Sequence, residues 1–183
     1  LTGSEHAGSM VAKVAGEELK KTVLELGGSD PFIVFEDADI EAASKAAALA
    51  RLQGNVGQSC VAAKRFIVHK DVADAFVKGM SEAFGALKIG DPSDPTTDVG
   101  PLANAQGLRD ITDQVARSVA NGARIVCGGS RVGEQGNFYA PTILVDVKPG
   151  QPAYDEEVFG PVAAVIVIEN EAEAVRIANE TPY

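Results

Sequence analysis

The sequence predicts an α/β layer fold with a largely parallel sheet and flanking helices. Two observations carry that expectation. Short aliphatic runs with strand character alternate with amphipathic stretches at helical spacing, and no internal repeat interrupts them. One run, Val162 to Ile168, is seven apolar residues long, as expected of a strand covered on both faces. With 183 residues, 45% of them apolar, the chain is long enough to close a sizeable core.

Residues 1–4 read as a strand end, with Ser4 the N-cap of a helix in which Ala7, Met10, Val11 and Val14 recur on one face. Such a start is either an ordinary capped terminus or, through its unpaired N–H groups and positive dipole end, a seat for a pyrophosphate. Residues 20–26 read as a strand leaving through Glu25-Leu26-Gly27-Gly28, and 31–35 as a short buried strand. Asp39 can cap a helix whose Ile40, Ala43, Ala47 and Ala50 share a face, and so Ala-rich a helix can pack closely. It leads to Gly54-Asn55-Val56-Gly57-Gln58-Ser59-Cys60, where two glycines permit a tight bend with a side chain at its tip.

Residues 65–69 form the next predicted strand. Lys64 and Arg65 at its start read as surface charges, the alternative being that they lower the pKa of a nearby thiol. A helix from Asp71 places Val72, Phe76, Met80, Ala83 and Leu87 inward, and 90–97 make a surface connection, not a domain linker. The following helix turns Leu108, Ile111, Val115 and Val119 inward and stops at Gly122, in the left-handed conformation common at helix ends. A strand at 123–127 and a glycine-rich turn through Gly136 lead to 138–145, where Pro141 demands an edge position or a break. Residues from Glu171 onward are helical, with Glu171, Glu173 and Glu180 on an exposed face.

The net charge of −10 disfavours non-specific binding of nucleic acid or anionic lipid, so neither is an expected partner. No run of 18 uncharged apolar residues is present, so a membrane span is not expected, and without a basic-then-apolar leader the chain reads as cytoplasmic. Cys60 and Cys127 are its two cysteines, too few for a disulfide framework and in keeping with a reducing compartment. Cys127 closes the run Arg124-Ile125-Val126-Cys127 and reads as a structural strand residue. His6 and His69 have no His or carboxylate at ligand spacing, so no metal is expected.

Two segments carry the chemistry. A Cys is most often a small buried hydrophobe, and a Glu before two glycines is most often a strand end. Paired, Gly57-Gln58-Ser59-Cys60 and Glu25-Leu26-Gly27-Gly28 place a thiol and a carboxylate on loops beside a sheet, as a nucleophile and a base require. With Leu1-Thr2-Gly3-Ser4-Glu5-His6-Ala7-Gly8 before them and Glu156-Glu157-Val158-Phe159-Gly160-Pro161 after, the order of motifs resembles the aldehyde dehydrogenase superfamily. Within it the wording is similar to the bacterial succinate-semialdehyde dehydrogenases.

The resemblance implies Cys60 as nucleophile and Glu25 as general base. It implies NAD or NADP as cofactor, with Gly3, Ser4, Leu26 and Gly27 against it, Glu157 on the nicotinamide ribose and Phe159 against the nicotinamide. It implies an aldehyde substrate, succinic semialdehyde oxidised to succinate, and a homo-oligomer for the full-length enzyme. An Asn upstream of Leu1 would help to hold the oxyanion. Members are more than twice this long, so residues 1–28 are expected to end a cofactor-binding domain and 29–183 to form a catalytic domain incomplete at its C-terminus. Little dehydrogenase activity is expected of the fragment alone. The superfamily does not depend on a G-x-G-x-x-G fingerprint, and this chain has none. Some semialdehyde-specific members carry an Arg six residues before the nucleophile. Gly54 stands there, with Arg51 three residues further back, which leaves the substrate's carboxylate without an assigned anchor. Two other classes stay open: a cofactor-independent thiol esterase or acyltransferase, which lacks a His near either catalytic motif, and an inactive fragment.

Overall fold

The computed structural model describes residues 1–52 and 55–183, so the expected bend at Gly54 lies outside the described residues. Five strands form one sheet: β1 (Pro31–Val34), β2 (Arg65–His69), β3 (Arg124–Cys127), β4 (Thr142–Val145) and β5 (Val162–Ile168), in the order β1-β2-β5-β4-β3. The pairings β1/β2, β2/β5 and β4/β5 are parallel, and β3 joins β4 antiparallel. The largely parallel α/β sheet is therefore observed, with its seven-residue apolar strand at the centre.

Among the described residues six helices accompany the sheet: α1 (Glu5–Glu17), α2 (Ile40–Leu52), α3 (Lys70–Gly85), α4 (Ala105–Ala120), α5 (Pro152–Asp155) and α6 (Glu171–Asn179). Alternate strand residues point to opposite layers. Phe66, Val68, Ala163 and Val165 share a core with Ala47 of α2 and with Phe76 and Met80 of α3. Ile67, Ala164 and Ile166 share the other with Ile111 and Val115 of α4, Tyr154 of α5 and Ile177 of α6. Small residues let α2 and α3 cross closely: a Cβ on Gly79 would lie 2.5 Å from the Ser44 hydroxyl.

Ser4 and Asp39 cap their helices as expected, and Asn104 and Asn170 do so as well. Ser4 Oγ accepts from the Ala7 N–H, Asp39 Oδ1 from Ala42, Asn104 Oδ1 from Gly107 and Asn170 Oδ1 from Glu173. Gly122 has φ +102°, past the end of α4 as expected.

Several local expectations are overturned. Residues 20–26 are not a strand. They run beside residues 1–3 through three backbone hydrogen bonds and a single bridge, Thr2 with Glu25, which is too little for a ladder, and Val23 is exposed. The apolar face of α1 (Met10, Val11, Val14) is also exposed, and its one buried residue is Gly8, where a Cβ would meet Leu26 Cδ2 at 2.6 Å. On α4 the inner face ends on Ser118 rather than Val119, because the Ser118 hydroxyl accepts from the Ala153 N–H and draws α5 onto that side. Pro141 breaks 138–145, as one of its two alternatives required, and the part after it, β4, is an interior strand.

No described helix is long and apolar enough to cross a membrane.

Candidate active site

The sheet order explains why distant segments meet. Glu25 to Gly28 lead into β1, Gln58 to Cys60 into β2, and Glu157 to Phe159 into β5. These three strands are parallel neighbours, so their entering loops stand side by side at one end of the sheet. Ligands of open α/β sheets usually sit at the carboxyl ends of the strands. Here the functional segments gather at the amino ends.

A cavity of about 500 Å³ lies among them. Its walls are Thr2, Gly3 and Ser4 from the start of α1, then Glu25, Leu26 and Gly27, then Gln58, Ser59 and Cys60, then Glu157 and Phe159. All eight site residues expected from sequence line this one cavity. A hollow of about 620 Å³ between α2 and the loop at 92–101 is larger, but neither Cys60 nor Glu25 reaches it.

Each segment is held by identifiable contacts. The Glu25 peptide is clamped to the chain start, its N–H donating to Leu1 O at 2.8 Å and its C=O accepting from Gly3 N at 3.0 Å. The Glu25 side chain is exposed, so the partial burial expected of a general base is not found. The physical reason is that the segment is held at its start by Lys20 N on Ala15 O and at Val23 and Glu25 by residues 1–3, leaving that carboxylate on the open side of the cavity. Gly27 is where chain and carboxylate approach most closely: a Cβ there would lie 2.5 Å from Glu157 Oε2. Phe159 is half-exposed at the cavity wall.

Cys60 is half-buried, and the turn before it is built on three fixed points. Gln58 Nε2 donates to Asn55 O at 3.0 Å, and Gln58 Oε1 accepts from Ala103 N at 2.8 Å. Arg51, fully buried at the end of α2, donates to Ala63 O at 2.8 Å and to Gly57 O. Burial lowers the Arg51 pKa to about 10, still charged at neutral pH, and its two Nη atoms are occupied by loop carbonyls. It therefore stiffens the loop from beneath and is not presented to a ligand.

Gly57 has φ +75°, and a Cβ there would fall on the Gly160 carbonyl oxygen and lie 2.5 Å from Arg51 Nη2. Gly57 thus lets the loop that carries Cys60 lie directly against the Phe159-Gly160 segment. Gly57→Ala is expected to destabilise the fold by about 2–4 kcal/mol, from left-handed strain plus overpacking. The drop in midpoint of a urea melt, with unchanged slope, checks it; an unaltered midpoint would refute this account of the contact.

Lys64 and Arg65 are buried, at 2% and 1% exposure, and are not the surface charges the sequence suggested. A guanidinium or ammonium is buried when carbonyls replace its water. Arg65 donates to Ser29 O, Ile177 O and Ala178 O, tying the entry to β1 to the end of α6. Lys64 donates to the carbonyls of Ser59, Cys60 and Ala62, and its Nζ lies 3.3 Å from Glu157 Oε1. The available signal was their position: Lys64 directly precedes, and Arg65 opens, a strand buried on both faces. Gln114 was also missed; its Nε2 donates to Glu157 O at 3.1 Å and to Glu156 Oε2 at 3.0 Å. Glu156 and Glu157 are accordingly tied down, while Asp155 is exposed. Glu156 is paired with Arg117, whose hydrogen bonds hold its carboxyl below the usual range, and Glu157 is largely enclosed.

Cys127 sits half-buried in β3 with its Sγ 3.8 Å from Pro141 O, away from the cavity. Among the described residues no group of three or more His, Cys, Asp and Glu is placed to hold a metal.

Comparison with known proteins gives consistent results. The model of the aldehyde dehydrogenase family matches residues 1–183. A probable succinate-semialdehyde dehydrogenase [NADP(+)] of Synechocystis is 54% identical over all 183 residues, which make up 40% of that protein. A succinate-semialdehyde dehydrogenase [NADP(+)] of Mycolicibacterium paratuberculosis is 55% identical over the same span, 39% of its length. The crystal structure of the succinate-semialdehyde dehydrogenase of Burkholderia pseudomallei superposes with a TM-score of 0.94 at 39% identity, covering 98% of this chain and 37% of that one. The chain thus spans about two fifths of the length of the curated relatives it matches.

Proposed function

This chain belongs to the aldehyde dehydrogenase family, and from that premise we propose that its complete protein oxidises succinic semialdehyde to succinate with NADP⁺, using Cys60 as nucleophile and Glu25 as general base. The observation that carries the reading is the cavity on which the thiol, the carboxylate and the two other motif segments converge. The substrate and the preference for NADP⁺ rest on the relatives, several of which are named for both.

The residues present fit a nicotinamide nucleotide. Glu157 offers a carboxylate to ribose hydroxyls, Phe159 an exposed aromatic face, and Gly27 a wall without a side chain. The capped start of α1, with Gly3 and Ser4, supplies N–H groups suited to a pyrophosphate, and Leu26 completes the wall. When bound, the nicotinamide accepts the hydride that no protein side chain can take.

Cys60 supplies the rest of the oxidative step. Its thiolate sulfur adds to the aldehyde carbon, and the new C–S bond converts a carbonyl, which cannot release hydride, into an oxyanion that can. N–H donors near Cys60 hold that oxyanion. Loss of the C–H bond and its electron pair leaves an acyl group on sulfur. Glu25 then takes a proton from water, the resulting hydroxide adds to the thioester, and the C–S bond breaks to return the thiolate and release the acid. An open position on the cavity rim gives the Glu25 carboxylate access to that water.

We assign residues 1–28 to the end of the cofactor domain and 29–183 to the catalytic domain. In support, residues 1–28 pair among themselves and contribute no strand to the sheet, whose first strand begins at Pro31. A cytoplasmic homo-oligomer is the form proposed for the complete protein.

The test is to follow NADPH absorbance with the complete enzyme and succinic semialdehyde, beside hydrolysis of an acetate ester. Aldehyde-dependent NADPH formation is expected. Ester turnover without any NADP⁺ reduction would replace this reading with that of a thiol esterase.

A further inference from the structure

We propose that Lys64 is a positioning residue that joins the nucleophile loop to the Glu157 segment, so that thiol and carboxylate are set as one unit. The proposal rests on the roles assigned above to Cys60 and Glu157.

An ammonium has three N–H donors. Those of Lys64 meet Ser59 O at 3.1 Å, Cys60 O at 2.8 Å and Ala62 O at 3.2 Å, with Glu157 Oε1 at 3.3 Å as a charged neighbour. Three of these acceptors belong to the loop that presents the sulfur, including the carbonyl of Cys60 itself. The fourth belongs to the segment that precedes β5. The side chains at the two ends of the ion pair are 2% and 18% exposed, so water does little to screen it. Burial pushes the Lys64 pKa down and Glu157 pushes it up, while the Arg51 charge beneath the loop pushes it down again. Glu157 is the carboxylate paired with Lys64 and also lies in the field of Arg51, and its Oε2 occupies the space that a Cβ on Gly27 would need.

Any movement of the loop that carries Cys60 must therefore move Lys64, and with it the partner of Glu157. A purely structural lysine would satisfy carbonyls alone. This one also touches a carboxylate that lines the cavity, and that contact makes the cofactor side sensitive to its loss.

The test uses Lys64→Met, which keeps length and removes every donor, and Lys64→Gln, which keeps two. In the complete enzyme Lys64→Met is expected to raise the KM for NADP⁺ about tenfold and lower kcat by about tenfold or more, the size of effect that loss of one buried charged contact gives. Lys64→Gln should recover part of both. In a Glu157→Gln background Lys64→Met should change the NADP⁺ KM by less than about twofold, because the contact through which it acts is already gone. Full multiplication of the two effects, or wild-type kinetics in a folded Lys64→Met protein, overturns the proposal.

The rate at which iodoacetamide alkylates Cys60, followed by mass spectrometry, reads the same link without dehydrogenase turnover. A change of about threefold or more is expected for Lys64→Met. If wild-type enzyme fails to reduce NADP⁺ while this rate still responds, the functional reading fails and the positioning role stands. Should neither Lys64 variant fold, Glu157→Gln carries the test alone: an unaltered alkylation rate at Cys60 then refutes the coupling.

Discussion

Cys60→Ala in the complete enzyme is expected to abolish NADP⁺ reduction, with kcat falling about ten-thousand-fold or more, as when a covalent nucleophile is removed. The expectation follows from the order of bond making. Without sulfur on the carbonyl carbon there is no oxyanion to expel hydride, and positioning alone cannot supply one. Binding of NADP⁺ should be retained, since Cys60 is one residue among several around the cavity and the groups proposed to face the cofactor lie on other segments. Fluorescence titration of NADPH beside the kinetic assay separates the two. Aldehyde oxidation persisting at more than a few per cent would reject Cys60 as the nucleophile. Cys127 provides the control, since its half-buried position in β3 is away from the cavity and Cys127→Ser should leave turnover in place.

Glu25→Gln should act on the second half of the cycle. Losing a positioned general base costs about a hundred- to ten-thousand-fold, and the step affected is hydrolysis of the acylated sulfur. Rapid mixing is therefore expected to show a burst of NADPH close to one per active site, followed by slow turnover, with the acyl adduct on Cys60 visible by mass spectrometry. A variant slow in both phases would mean that the carboxylate acts before hydride leaves, and unchanged steady turnover would move the base to another residue. Glu25 sits on a short bridge to Thr2, and its side chain is exposed, so loss of activity through unfolding is not expected.

Much of the layer fold was legible because its signals are local. Alternating periodicities, an apolar run long enough for a central strand, and Ser, Asp and Asn at helix starts each report on a few neighbouring residues. Expectations that required knowing what lies alongside were less secure. Residues 20–26 have strand-like composition but no ladder to join beyond residues 1–3. Val119 is as apolar as Ile111, yet Ser118 was drawn inward by a hydrogen bond to α5, a helix the periodicity did not reveal. Lys64 and Arg65 look solvated by residue type, and only the carbonyls that surround them make their burial affordable.

By itself the sequence offered one thiol and one carboxylate in glycine-bearing segments, and the resemblance its motifs carry added the pair Glu157 and Phe159. The tertiary structure alone decided that they meet, because β1, β2 and β5 are parallel neighbours and so bring three separated loops to one end of the sheet. It also decided that a lysine read as surface charge bridges two of those loops. Sequence distance does not encode strand order, and whether a charge is buried depends on partners supplied from elsewhere in the chain.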